Sequence, residues 1–307
     1  MVAFALGSAG VIALWSHPPG TIARAELTWH GDTILASELD AAQGHLSSVA
    51  GELDRLSVLS RGAIGALTAN QPASLSDALT EGGTVASSIQ TDSVNLRAGL
   101  ASLPGASPSD PIYYGGEVLA RRAAMIAALD ATEGLGRSWA TLTAGSLRAA
   151  RLIALLAAHD TTVAAAAAQG RNAKYADALT TLLTAVASLD EAVKIRDQLA
   201  NAADVSTLDE WISRNRRYDA ALIALYAALQ ASGGKVNDAV RTAFKEEGEA
   251  RGHLPPDTRG LVVIIAAIGQ GGLNQAVIAI ELARGRLDLA LEALASAAGA
   301  PVGAPAG

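Results

Sequence analysis

Between Leu35 and Leu67, core-type positions recur in alternating steps of four and three: Leu35, Leu39, Ala42, Leu46, Val49, Leu53, Leu56, Ser60, Ala63 and Leu67. That spacing averages about 3.5 residues and draws one narrow stripe along a helix. A stripe so narrow is buried by a facing helix and not by a core on every side. Asp32 stands just before it and is expected to cap a helix running to about Ala69. At ~1.5 Å per residue that helix exceeds roughly 50 Å. Asn70, Gln71 and Pro72 then supply a turn.

The pattern resumes from about Ser74 to Leu103 on Leu75, Leu79, Ala86, Ile89, Leu96, Leu100 and Leu103, with Gly82 and Gly83 weakening its middle. Matching stripes joined by a short turn predict an antiparallel hairpin. Three prolines in Pro104–Pro111 then break the chain and mark a hinge. A long helical region follows from about Tyr113 to Gln169, with a seam of Leu135, Trp139, Leu142, Ala149, Ile153 and Leu156. Gly134 and Gly136 are expected to kink it, and Gly170 to cap its C-terminus. Further stripes follow on Tyr175, Leu179, Leu182, Val186, Leu189 and Val193, and on Leu208, Trp211, Tyr218, Leu222, Leu225 and Leu229. The second begins near Ser206 and stops at Gly233-Gly234. A shorter helix is expected over about Val236–Arg251 and a last one over about Leu261–Ala297.

The expected fold is therefore all-α, without a sheet: an elongated antiparallel helical bundle of six to eight helices in long, coiled-coil-like hairpins. The expected segments are an apolar membrane-targeting stretch (1–19), a linker (20–31), an N-terminal hairpin (32–103), the Pro-rich hinge (104–111), a helical bundle (112–297) and a disordered tail (298–307).

Val2–Trp15 carries no charge. Its length suits the apolar region of a signal peptide better than the ~20 residues of a full span. Trp15 sits where an interfacial aromatic would, and Pro18-Pro19-Gly20 stops the helix. No Lys or Arg precedes the run, and Ala23-Arg24-Ala25 has a small-x-small form about ten residues beyond it. Three readings follow: a membrane anchor, a cleaved signal, or an apolar helix docked on the body. The first places the chain at the cell membrane as a single-pass protein with its body outside the cytoplasm. The second makes it secreted.

The composition supports helix and removes several chemistries. Half of the 307 residues are apolar, much of that alanine, while aromatics make up only 4%. Alanine is the best helix former and adds little bulk, so helix axes must lie close together. The net charge of −7 leaves no basic footprint for phosphate backbones, so nucleic acid is not an expected partner. Arg214, Arg216 and Arg217 read as a solvated helix face. There is no cysteine, which removes disulfides, thiolate metal sites and thiol nucleophiles.

Leu261–Ile265 followed by Gly269, Gly271 and Gly272 resembles a phosphate loop in outline. Asn274 stands where a third glycine belongs, and no other strands exist for a parallel sheet. The histidines 17, 30, 45, 159 and 253 show no helical repeat, so no metal or other cofactor is expected. No serine sits in a Gly-x-Ser-x-Gly elbow. Lys245, Glu246, Glu247 and Glu249 read as a charged helix face, and Asn215 as a polar residue setting register. His159 and Asp160 are adjacent near an apolar seam. Neighbours on a helix point about 100° apart, so they are expected to form a polar layer rather than a direct pair.

No motif points to a known family. The leading expectation is a non-enzymatic, membrane-anchored extracytoplasmic scaffold or protein-interaction protein, with a protein partner or a second copy engaged through its helices. The alternative is an extracytoplasmic sensor or small-molecule-binding bundle, with a pocket near His159, Arg151 and Tyr175.

Overall fold

A computed structural model describes residues 21–103, 114–200, 204–254 and 273–299. All of its regular elements are helical, and no strand occurs among the described residues. The helices are α1 (Thr21–Thr68), α2 (Pro72–Ser102), α3 (Gly116–Leu129), α4 (Leu135–Arg171), α5 (Tyr175–Leu199), α6 (Ser206–Ala231), α7 (Asp238–Gly252) and α8 (Asn274–Gly299), with a 3-10 turn at Asp130–Thr132. The apolar segment at 1–19, the hinge at 104–111, the strand-like run at 261–265 and the tail beyond 299 lie outside the described residues.

The expected stripe on α1 is the core of that helix. All ten of its positions are buried, including Ser60 at 0% exposure. Several boundaries differ from expectation. Helix α1 begins at Thr21, so the expected linker at 20–31 is helical apart from Gly20, which lies outside the described residues. Asp32 is no cap: it lies inside α1 and accepts a hydrogen bond from the Gly115 amide at 2.7 Å. The expected kink at Gly134 is a full break. Gly134 adopts φ +82°, a left-handed conformation open to glycine at little cost, and separates the 3-10 turn from α4. Gly170 does not end α4. The left-handed residue is Ala173 (φ 57°), and the Lys174 amide donates back to the Gln169 carbonyl. Helix α7 has a side-chain cap, Asn237 accepting from the Val240 amide at 2.9 Å.

The chain divides into two compact units that are discontinuous in sequence. The described residues of the first are 21–57, 83–103, 114–136 and 280–299. Glu52 and Ser88 lie equally far from Asn70 and are hydrogen-bonded, so α1 and α2 run antiparallel. Arg121 reaches Asp40, and Gly115 reaches Asp32, in the same chain order, so α3 runs parallel to α1. Ser57 bonds Glu281 while Asp54 meets Arg284, so α8 runs antiparallel to α1. Leu39, Leu46, Leu53, Ile89, Met125 and Leu287 fill the centre.

The described residues of the second unit are 58–82, 137–200, 204–254 and 273–279. Asp190–Arg216 and Arg196–Asp209 pair across the connection between α5 and α6, which makes that pair antiparallel. His159 and Gly170 of α4 meet Asp219 and Tyr226 of α6 in the same order, so α4 and α6 run parallel. Helix α7 packs on α6, and Val163, Ala166, Ala178, Leu182, Ala185, Leu222 and Leu225 form the core here.

Gly82 permits a close approach. A Cβ there would lie 1.9 Å from the Trp139 ring, while a Cβ at exposed Gly51 meets nothing within 4 Å. The two glycines should respond oppositely to alanine in urea unfolding. Gly51→Ala is expected to stabilise by about 0.5–1 kcal/mol through helix propensity. Gly82→Ala is expected to destabilise by about 1–3 kcal/mol, because the indole must move within a packed seam. Equal shifts of the same sign would contradict this packing.

Candidate functional site

The second unit holds two features that depart from plain helix packing. The first is a groove lined by residues of α4 (Ala167, Gly170, Arg171), α6 (Tyr218, Leu222, Leu225, Tyr226, Leu229) and α7 (Val240, Arg241, Phe244, Glu247, Arg251), together with Val236. Its volume is about 710 Å³. Helix α7 buries Val240, Ala243, Glu247 and Ala250, a stripe in steps of three, four and three. A carboxylate therefore occupies one position of a stripe otherwise made of Val and Ala. Glu247, expected on a charged exposed face, is in fact 4% exposed.

Two groups face that buried charge. Arg251 Nη2 donates to Glu247 Oε2 at 2.8 Å, and the Tyr218 phenol lies close enough to feel the same carboxylate. Burial, then the negative charge of Glu247, push the Tyr218 hydroxyl up to about 12, so it remains a protonated donor at neutral pH. Tyr226 is also pushed up, by burial first and then by Glu247, with Arg171 opposing. Its ring stacks on Tyr175 at 6.4 Å and lies against the α4 backbone, where a Cβ on residue 170 would stand 2.4 Å away. That close approach is what Gly170 provides.

The second feature is a buried charged layer between α4 and α6. His159 is 1% exposed. Its Nε2 lies 2.9 Å from Asp219 Oδ2 and its Nδ1 3.1 Å from Asp160 Oδ1. Trp211 meets the ring edge-on at 5.9 Å. Asp219 is wholly buried, and its Oδ1 has no hydrogen-bond partner. The direct His159–Asp160 contact corrects the expectation that helix neighbours stay apart. The near nitrogen of the imidazole stays close to the backbone, within reach of a carboxylate folded back over the helix. Burial alone would lower the affinity of the ring for its proton, but its hydrogen bonds to Asp160 and Asp219, then their charges, raise its pKa to about 9. The layer is thus an imidazolium held between two carboxylates.

The three residues expected to form a pocket do not converge. Arg151 is exposed on α4, eight positions and about 12 Å along the axis from His159. Tyr175 opens α5 and belongs to the tyrosine stack. None of the three lines the groove. Asn215 is buried, but it is satisfied within its own helix by donating to the Trp211 carbonyl at 2.9 Å. Arg214 and Arg216 form exposed ion pairs with Glu210 and Asp190. Sequence reasoning missed Asp219, Glu247 and the groove. The partner of Asp219 lies sixty residues away, and Glu247 is set apart by its phase on the buried stripe of α7, with Arg251 one turn on and Tyr218 on the preceding helix.

Comparison with protein-family models, curated proteins and solved structures finds no match. Among the described residues, no group of three His, Cys, Asp or Glu side chains could hold a metal ion. One described stretch, Gly116–Arg171, is long and apolar enough to cross a membrane by length and composition, with 39% of its apolar window buried.

The charged layer gives a pH dependence of definite sign. The folded ring binds its proton more tightly (about 9) than a free ring does (6.5). Its contribution is fully present below about pH 6.5 and is lost as pH rises through about 9. The loss should be on the order of 3 kcal/mol, read as a falling urea midpoint between pH 6 and pH 9. Asp219→Asn should flatten that dependence. A wild-type midpoint constant over this range would rule out a charged His159.

Proposed function

We propose that this chain is a non-enzymatic binding protein held at the outer side of a cell membrane by its N-terminal apolar segment, and that the groove between α4, α6 and α7 takes a small apolar molecule. The groove carries this reading. Its volume falls within the ~300–1,000 Å³ usual for small-molecule sites, and its walls are apolar with a few converging polar groups. The titratable groups there are engaged with one another: Glu247 is held by Arg251 beside the Tyr218 phenol, which leaves no activated base beside a nucleophile. The charge-free run Val2–Trp15 supports the membrane attachment.

A neutral solvatochromic dye should bind the full chain saturably at one site. Filling the groove with Ala167→Trp should weaken that binding at least about tenfold while circular dichroism stays helical. Dye binding that survives the tryptophan, in a folded variant, would place the site elsewhere. Deleting residues 1–19 should release the chain from the membrane fraction of expressing cells without altering the dye affinity of the body.

One observation favours the protein-interaction reading as a second role. Leu282 and Leu289 lie one heptad apart on α8 and are 55% and 67% exposed. A spacing of seven is that of a helix-pairing stripe. If the stripe mediates self-association, light scattering should show a dimer of the chain lacking residues 1–19. Leu282→Glu with Leu289→Glu should return it to a monomer. A monomer throughout would remove this role.

A further inference from the structure

Granting the groove as a small-molecule site, we infer that its ligand is a free single-chain amphiphile with one anionic headgroup, the alkyl chain lying along α6 and α7 and the head at Arg171. Three observations converge on this class.

The first is the shape of the apolar surface. Leu222, Leu225 and Leu229 follow one another along α6, and Val240 and Phe244 face them from α7. This is a run of aliphatic and aromatic side chains along the helices rather than a compact polar cup. Phe244 and Val236 are 61% and 66% exposed, so two large apolar side chains of the lining stand in water. An extended alkyl chain would cover both, and the burial of apolar area would favour binding.

The second is the charge around the groove. Arg171, Arg241 and Arg251 line it against one carboxylate, Glu247. Arg251 is engaged by Glu247, and Arg241 pairs with Asp238 at 2.9 Å. Arg171 has no carboxylate partner among the described residues. A cationic head would meet three guanidinium groups, and the one buried carboxylate already accepts from Arg251. An anionic head would find a fork of N–H donors whose charge is not yet neutralised.

The third is the placement of Arg171 beside the apolar path. It follows Gly170 directly, and Gly170 lets the Tyr226 ring lie on the α4 backbone. The guanidinium charge is felt at the Tyr226 phenol, where it opposes the upward shift caused by burial. The free cation and the aromatic end of the groove are therefore adjacent, as a head and chain joined by one bond require.

Titration calorimetry of the full chain tests this with decanoate, decyltrimethylammonium and acetate, each below its micellar concentration, beside the neutral dye. Decanoate is expected to bind one site at least about tenfold more tightly than decyltrimethylammonium, and acetate to show no saturation. Arg171→Gln should weaken decanoate about tenfold, the loss of one charge-assisted interaction, and weaken the neutral dye much less. If both decyl probes bind alike, or Arg171→Gln leaves decanoate unaffected while the dye still binds, the anionic class is overturned and the groove stands. If neither the dye nor any decyl probe binds, the groove reading falls and takes this inference with it. Should Arg171→Gln fail to fold, the comparison of decyl probes on the unaltered chain decides.

Discussion

Close approach between helices lined by small side chains is the constraint on which the rest depends. Along α5 the wholly buried positions read Ala178, Leu182, Ala185, Leu189 and Ala192, and α1 mixes its leucines with Ala42, Ser57, Ser60 and Ala63 in the same way. Such seams are thin, because alternating small and large residues interdigitate only when backbones come near each other. A bulky side chain then has no room unless its neighbour lacks a Cβ. The glycines follow this rule: Gly82 faces Trp139, Gly145 faces Leu273 and Gly170 faces Tyr226, each so close that a Cβ would overlap. These three act as sockets for the few large residues of a chain whose aromatic content is 4%. Gly44, Gly51, Gly62 and Gly65 face open space and have no such role.

A thin, low-dielectric seam also makes buried charge expensive, so the charges it contains must be satisfied. His159 is bracketed by two carboxylates, and Glu247 is held by a guanidinium beside a phenol. Each network tolerates few neighbouring registers. Sliding α4 along α6 by one turn would separate His159 from Asp219 and leave an unpaired charge among Leu, Ala and Trp. Helix α6 carries both networks on adjacent residues, Tyr218 toward the groove and Asp219 toward His159. The position of the groove wall is thereby tied to the buried ion layer.

The seams were legible in the sequence because their signal is local. A helix displays its own period, and the ten positions from Leu35 to Leu67 needed no knowledge of what they face. Ends governed by local chemistry were legible too, such as the stop at Gly233-Gly234, where both residues have positive φ. The contacts that make the candidate site were not. Nothing near His159 in the chain announces Asp219, and nothing near Gly170 announces Tyr226, so Gly170 read as a cap. Glu247 was misread for a related reason. Among Lys245, Glu246 and Glu249 it looks like one more solvated charge, and only its phase with Val240, Ala243 and Ala250 puts it inside. Asp32 failed as a cap because its partner, the Gly115 amide, lies eighty-three residues away.

The groove itself follows from the rule that governs the seams. Helix α7 supplies Val, Ala, Glu and Ala to its buried stripe, one carboxylate where a leucine would close the packing. That carboxylate needs donors, and it draws Tyr218 and Arg251, two long side chains for which the seam has no glycine socket. Among the described residues that line the groove, the glycine socket is Gly170, and Tyr226 already fills it. Two further aromatic rings line the groove: Tyr218 packs partly against the core of this unit, and Phe244 stands largely in water. Restoring an apolar residue at 247 would remove the demand for donors and let α7 settle closer to α6. On this argument the groove is specified by one glutamate in an otherwise ordinary stripe.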